Sequence, residues 1–365
     1  MMEKLESRLD AVLQEDLDQI VRSFPMAGEL NNSSVLITGA TGLVGSMLVR
    51  ALACMNRKKG LNIRILALVR SREKAARVFG ELLERQDIVL VQGDVTEPLE
   101  LEGPVDYILH TASVTASKTF VTQPVETLMT AITGTKNLLE LARQKQVRSM
   151  VYVSSMEAYG ITDPSLDRVH EGDLGYIDIL NVRSSYSEGK RVCECLCSAY
   201  ASEYGVPVKI ARLAQTFGAG VGLGDNRVFA QFTKACMTGS DIVLRTEGKS
   251  MGNYCYTADA VLGLLTILVR GENAQAYSVV NESTSMRIRE VAQLVSETLS
   301  GGNTKIVFDI PENALTYGYA PDVTMRLSGE KLRALGWEPT VDLPEMFLRL
   351  AKSYEAQGLQ SESGK

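Results

Sequence analysis

Short apolar runs alternate with amphipathic stretches along most of this chain. The runs 34–38 (SVLIT), 63–69 (IRILALV), 87–91 (DIVLV), 105–110 (VDYILH), 150–155 (MVYVSS) and 208–213 (VKIARL) each read as a buried strand. Helical patterns fill the intervals at 72–85, 124–144 and about 186–204. Another, carrying Leu43, Val44, Met47 and Leu48, follows the first strand directly. Strands separated by helices of this length predict a parallel, doubly wound α/β sheet. Right-handed crossovers then bring every C-terminal strand end to one edge, where ligands bind.

The second half reads differently. Residues 214–226 (AQTFGAGVGLGDN) form a long glycine-rich loop. A helix at 227–238, short strands near 241–245 and 253–257, and a helix from about 258 to 269 come next. A strand at 275–280 and helices at 287–300 and 343–356 complete the pattern. This half is expected to be a smaller C-terminal α/β lobe that supplies the substrate pocket. Ahead of the first strand, Leu5, Leu9, Leu13, Leu17, Ile20, Val21 and Phe24 make one helical stripe, ended by Pro25. Such a helix must dock, and packing on its own domain is the expectation. The divisions are 1–33 (helix and lead-in), 34–213 (nucleotide-binding domain), 214–357 (mainly substrate lobe) and 358–365 (disordered tail).

Composition narrows the class. Of 365 residues, 45% are hydrophobic and 22% charged, as in an ordinary soluble globular protein. The net charge of −6 argues against a nucleic-acid partner. No run approaches the roughly 18 apolar residues of a membrane span. The acidic N-terminus is no signal peptide, so the cytoplasm is the expected compartment. Three of the six cysteines, Cys193, Cys195 and Cys197, fall in one helical pattern, where Cys193 and Cys197 share a face. Without C-x-x-C spacing or a nearby histidine they are expected to be packing residues, and no metal site is expected.

The chemistry begins at the first strand. Gly39, Gly42 and Gly45 form G-x-x-G-x-x-G between that strand and the next helix. A pyrophosphate can approach a helix start only where side chains are absent. In this context the spacing marks a Rossmann-type dinucleotide site, with Gly39, Thr41, Gly42, Leu43, Val44 and Gly45 as its residues. Tyr186 and Lys190 form Y-x-x-x-K, one helical turn apart. A phenol titrates near pH 10, at about the model-peptide value. An ammonium one turn away is expected to lower it and make a usable base. Ser155, at the C-terminal end of MVYVSS, is placed to hydrogen-bond the reacting hydroxyl, with Ser154 as the alternative.

These segments resemble the extended short-chain dehydrogenase/reductase superfamily. The resemblance rests on TGATGLVG at 38–45, GDV at 93–95, VYVSSMEAYG at 151–160 and YSEGK at 186–190. It is supported by HTAS at 110–113, GTKNLLE at 134–140, DNRVFAQF at 225–232, YTADAV at 256–261 and LGWEP at 335–339. Within the superfamily the chain looks like the nucleotide-sugar 4-epimerases, 4,6-dehydratases and UDP-glucuronate decarboxylases. The resemblance implies that Tyr186 removes the C4 hydroxyl proton of a nucleotide sugar while hydride goes to NAD or NADP. It further implies that Lys190 holds the nicotinamide ribose and that Asp94 and Val95 face the adenine. Thr111, Ala112 and Ser113 would line the cofactor, and a homodimer would form through helices 124–144 and 186–204.

Residues 156 and 157 bear on the outcome. Hexose 4,6-dehydratases carry an aspartate where this chain has Met156, which cannot donate a proton to a leaving hydroxyl. Glu157 matches dehydratases and glucuronate decarboxylases alike. Decarboxylation is the favoured expectation, because it needs no acid at C6. Epimerisation, an atypical dehydration and NADPH-dependent carbonyl reduction remain as alternatives, with a non-catalytic dinucleotide-binding scaffold the least favoured. Ser154, Met156, Arg227 and Arg245 are the candidate substrate residues. Two family arginines for the nucleotide phosphates are missing: Gly252 stands at one position, and Tyr319-Ala320-Pro321-Asp322 lacks the other. Arg227, Lys249 or Arg245 could supply the charge. After the second strand, Arg70 favours a 2′-phosphate and hence NADP over NAD.

Overall fold

The computed structural model describes residues 5–311 and 322–359. The run Tyr319–Pro321 and the tail residues 360–365 lie outside the described residues. The chain begins with α1 (Ala11–Ser23), which leads into β1 (Ser34–Thr38), α2 (Leu43–Lys59), β2 (Arg64–Val69), α3 (Arg72–Phe79) and β3 (Ile88–Gln92). Next come β4 (Tyr107–His110), α4 (Ser117–Thr122), α5 (Pro124–Lys145), β5 (Ser149–Ser155), α6 (Ser184–Tyr204) and β6 (Val208–Leu213). The remainder comprises β7 (Gln215–Phe217), α7 (Val228–Met237), β8 (Ile242–Leu244), β9 (Met251–Tyr256), α8 (Thr257–Arg270) and β10 (Ala276–Val279). It closes with β11 (Asn281–Arg287), α9 (Ile288–Ser300), β12 (Ile306–Phe308), α10 (Glu330–Arg333) and α11 (Leu343–Ala356).

Seven strands form one parallel sheet in the order β3-β2-β1-β4-β5-β6-β10. Every residue of β1 is buried, as a strand covered on both faces must be. Alternate side chains serve two cores: Val35 and Ile37 pack with α2 and α8, and Leu36 packs with α5 and α6. The strand order reverses between β1 and β4, which opens a crevice at their C-terminal ends. Cys193 and Cys197 are buried in the α6 face against the sheet, and Cys195 is exposed. Among the described residues no helix is long and apolar enough to cross a membrane.

The expected boundary at 213/214 does not follow the sheet. After β6 the chain leaves to form a second, three-stranded sheet, β11-β9-β7, and a two-stranded one, β12-β8. It then returns, because α8 covers the main sheet and β10 pairs with β6 from Ala276 to Val279. The apolar run at 275–280 thus belongs to the nucleotide-binding layer.

The N-terminal stripe is shorter than its periodicity predicts. Asp10 accepts from Leu13 N–H at 2.9 Å and caps α1, so the helix starts at Ala11. Leu5 and Leu9 fall before the cap and are exposed. Leu13, Leu17, Ile20, Val21 and Phe24 are buried in the core shared with α2 and α8. The helix docks on its own chain, as expected.

Candidate active site

The glycine turn is bare of side chains where β1 passes into α2. Gly39 has φ +62°, and a Cβ there would lie 2.8 Å from the Ala112 backbone. At Gly45 a Cβ would meet the Gly39 carbonyl oxygen at 2.3 Å. The turn therefore tolerates no side chain at either point. Gly42 caps α2 without any side-chain hydrogen bond. The N–H groups of Leu43, Val44 and Gly45 at the start of this 17-residue helix are left for an anion. Beside them, Thr111 donates to the Thr38 carbonyl at 2.6 Å, and Ala112 N–H donates to the Thr38 hydroxyl at 3.2 Å. These bonds hold 111–113 against the turn. Val95 is buried under Gly134 of α5, and its carbonyl accepts from Asn137. At the end of β2, the exposed Arg70 lies 3.9 Å from Asp94. Burial works to raise the Asp94 carboxyl, but the N–H and hydroxyl of Thr96, with Arg70, hold it below the usual range.

His110 lies behind this cradle, within hydrogen-bond distance of Thr38 (2.8 Å) and Thr135 (3.4 Å). Burial, helped by the Lys190 charge, pushes its pKa down to about 3. It is a neutral packing residue that fixes the ends of β1 and β4.

Ser155 ends β5, and its hydroxyl accepts from Glu157 N–H at 3.2 Å. Strand alternation sends Ser154 the other way. Its hydroxyl donates to Glu194 at 2.5 Å inside a buried cluster where Arg212 also grips Glu194. The geometry removes Ser154 from the candidate substrate residues. Met156 packs against the core.

Tyr186 is half-buried on the first turn of α6. Its ring stacks on Phe120 of α4, with centroids 4.3 Å apart and planes within 8°. Burial raises the phenol above its ordinary value, and the Glu157 charge raises it further. The groups that pull it down are the Ser155 hydroxyl, Arg183 and Arg227. The sequence assigned that task to Lys190, which in the structure keeps its hydrogen bond for the backbone and meets Tyr186 only over the ring face. Lys190 donates to the Val153 carbonyl at 2.8 Å, and its ammonium sits over the rings of Tyr152 (5.0 Å) and Tyr186 (5.7 Å). Burial lowers its own pKa to about 8, because a desolvated ammonium gives up its proton readily.

Glu157 is held by a residue that sequence reasoning missed. Arg183 meets it through two hydrogen bonds, Nη1–Oε2 at 2.9 Å and Nη2–Oε1 at 3.2 Å. The Ser187 hydroxyl adds a third at 3.1 Å. The Arg183 guanidinium also lies 5.9 Å from the Phe120 ring centroid. Its spacing, three residues before Tyr186, was a usable helical signal. Phe120 carried none, because it arrives from another helix.

Of the proposed phosphate cations, Arg227 is the one whose charge reaches Tyr186. Asp225 grips it: Oδ2 accepts from Nη2 at 2.6 Å and from Nε at 3.0 Å, and Oδ1 accepts from Nε at 3.2 Å. Arg245 is a correction: its guanidinium is taken up by Asp309, beside the β8/β12 pair. Lys249 is likewise paired, with Glu247. Gly252 lies buried in β9, and a Cβ there would sit 3.2 Å from the Tyr254 hydroxyl and 3.6 Å from the Gln215 amide.

Comparison with known proteins places this geometry among related ones. Residues 35–281 match the model of the NAD dependent epimerase/dehydratase family. The chain is 31% identical to UDP-glucuronic acid decarboxylase 5 of Arabidopsis thaliana over 316 residues, 86% of this chain and 87% of that protein. It is 31% identical to UDP-glucuronic acid decarboxylase 1 of Danio rerio over 357 residues, 94% of this chain and 80% of that one. The fold is shared with UDP-glucose 4-epimerase of Thermotoga maritima, solved with UDP-glucose (TM-score 0.73, 20% identity, 89% of this chain and 99% of that one). It is also shared with dTDP-glucose 4,6-dehydratase of Bacillus anthracis, solved with NAD (TM-score 0.71, 18% identity, 88% and 96%).

Proposed function

Because the chain belongs to the NAD-dependent epimerase/dehydratase family, we propose that it decarboxylates a nucleotide-linked glucuronate through transient oxidation at C4. The observation that carries this reading is the convergence of Ser155, Tyr186 and the Glu157–Arg183 pair where β5 runs into α6. Similarity to UDP-glucuronic acid decarboxylases along most of the chain supports it.

Gly39 to Gly45, with Thr111 to Ser113, would hold the dinucleotide, and Lys190 would donate to its ribose. When bound, that group supplies a hydride acceptor for C4 and later the hydride donor. Tyr186 takes the proton of the C4 hydroxyl, and Ser155 hydrogen-bonds the same oxygen. The resulting 4-ketone lies β to the C6 carboxylate. As the C5–C6 bond breaks, its electron pair passes to the ketone oxygen and CO2 leaves. A proton then adds at C5, and Tyr186 returns its proton to O4 as hydride comes back. Arg183 holds the Glu157 carboxylate in place beside the sugar through its two hydrogen bonds, and Arg227 faces the sugar nucleotide's anionic groups. Met156 offers no proton to a leaving C6 hydroxyl, which disfavours elimination.

Arg70 favours NADP, whereas the family's NAD dependence and the neighbouring Asp94 favour NAD. Parallel Kd measurements with the two cofactors decide between them. Exposed Val125 and Met129 on α5 and Val192 on α6 support a homodimer through these helices, and sedimentation as a strict monomer would contradict it.

The test is incubation with UDP-glucuronate and catalytic NAD, with product mass read directly. The expected product is lighter by one CO2, and Tyr186→Phe should abolish it while still binding NAD. An unchanged UDP-glucuronate, or one cofactor consumed per product, would overturn the reading.

A further inference from the structure

We propose that the N-terminal helix positions the substrate loop: Asp10 and Asp16, acting through Ser353 and Tyr256, fix the backbone of residues 218–227 and thereby hold Arg227 within reach of Tyr186. This inference rests on the reading of Tyr186 and Arg227 given above.

The loop between β7 and α7 has glycine at 218, 220, 222 and 224. With so few side chains it cannot order itself, and it must be held from outside. Two relays do this. In the first, the Ser353 hydroxyl on α11 accepts from Gly220 N–H at 3.0 Å and donates to Asp10 at the cap of α1. In the second, the Tyr256 hydroxyl at the end of β9 donates to Asp16 of α1 at 2.5 Å and accepts from Ala219 N–H at 3.4 Å. Arg349 of α11 closes the second relay on Asp16 at 2.7 Å. The loop runs so close over Tyr256 that a Cβ at Gly218 would lie 2.3 Å from its ring. A Cβ at Gly220 would touch Leu13 of α1 at 3.5 Å.

The grip continues to the site. Gln357 accepts from Leu223 N–H at 3.3 Å and donates to the Val221 carbonyl at 2.9 Å. Lys234 donates to the carbonyls of Leu223 and Asp225 at 3.0 and 2.7 Å. Asp225 in turn holds Arg227.

Docking alone does not account for the acids. Asp10, at the cap, and Asp16, on the helix, are 8% and 4% exposed, among the buried Leu13, Gln14, Leu17, Ile20 and Val21. Burying carboxylates is costly unless each is matched to a partner, and here the partners lead to the loop. The loop and Tyr256 lie within the family-matched residues 35–281, and α1 and α11, which hold them, lie outside.

Asp16→Asn, Asp10→Asn and Tyr256→Phe remove one link each with little change in shape, and Val21→Ala loosens the buried face of the helix away from either relay. Amide hydrogen exchange reads the loop without any substrate. The relay variants should speed exchange at Ala219 and Gly220 on the order of tenfold while β1 and β5 stay protected. They should also raise KM for UDP-glucuronate by a similar factor, with kcat and NAD affinity little changed. Combined with Arg227→Gln, Asp16→Asn should add nothing further to KM. Val21→Ala should lower Tm without that selective exchange. Unchanged exchange at residues 219 and 220 in all three relay variants, or equal loss of protection across the whole protein, overturns the positioning role. Faster exchange in an enzyme inert toward UDP-glucuronate would instead overturn the assigned substrate and leave the clamp standing.

Discussion

Arg183 and Glu157 face each other in a two-pronged ion pair, with Nη1–Oε2 at 2.9 Å and Nη2–Oε1 at 3.2 Å, at the entry to the helix that carries Tyr186. The pair balances two opposing influences on the phenol: the glutamate raises its pKa and the arginine lowers it. Arg183→Met leaves the glutamate unopposed. The variant should lose on the order of tenfold in kcat near neutral pH. The ascending limb of its pH–kcat profile, which reports the Tyr186 base, should move to higher pH, and Arg183→Lys should recover part of the loss. An unaltered pH profile would show that Arg183 only shapes the loop.

Phe120 sets the plane of the Tyr186 ring through the 4.3 Å stack. The residue is 2% exposed, so Phe120→Ala should cost about 3–5 kcal/mol of stability. Phe120→Leu nearly keeps the volume and should cost less than about 1.5 kcal/mol. It nevertheless loses the flat surface, and kcat should fall several-fold with KM little changed. Thermal melts beside steady-state kinetics separate the two effects.

Lys190 predicts how cofactor binding depends on pH. Its pKa of about 8 in the free protein means that the ammonium is lost as pH rises through 8. Only the charged form donates its full set of hydrogen bonds. NAD affinity should therefore be flat below pH 7 and weaken between pH 7.5 and 9, measured by fluorescence titration (about one unit either side of that pKa). Arg does not titrate in this range, so Lys190→Arg should flatten the curve even if it binds more weakly.

His110 predicts an acid limit to stability. Its pKa falls from the ordinary 6.5 to about 3 in the folded protein. Between those values the unfolded chain binds more protons, so stability rises with pH and is lost as pH falls from 6.5 toward 3. The contribution above pH 6.5 is at most about 5 kcal/mol. Urea melts from pH 7 to pH 4 should show a steeper decline for the native chain than for His110→Gln. Parallel declines would remove His110 as the cause.

Much of this architecture was legible in the residues. The strand runs, the helices between them and the glycine turn lie where their periodicity and spacing put them, because a strand or a turn is specified by neighbours a few positions away. Boundaries were less legible. The stripe through Leu5 and Leu9 continued a helical period, but Asp10 capped the helix at Ala11 and left both leucines in solvent. Strand parity separates Ser154 from Ser155, yet which of them faces the crevice depended on what packs behind β5, namely Glu194 and Arg212.

By itself the chain determined the order of its elements, the side-chain-free turn from Gly39 to Gly45, and the one-turn interval between Tyr186 and Lys190. Each is a short-range property of backbone geometry. Apart from Arg183, whose spacing along the helix is local, the groups that act on Tyr186 were decided by tertiary structure. Phe120 comes from α4, Glu157 from the end of β5, and Arg227 from a loop held by the chain's two terminal helices. Electric fields and ring contacts act through space and strengthen with burial, and neither distance nor burial is written in residue order.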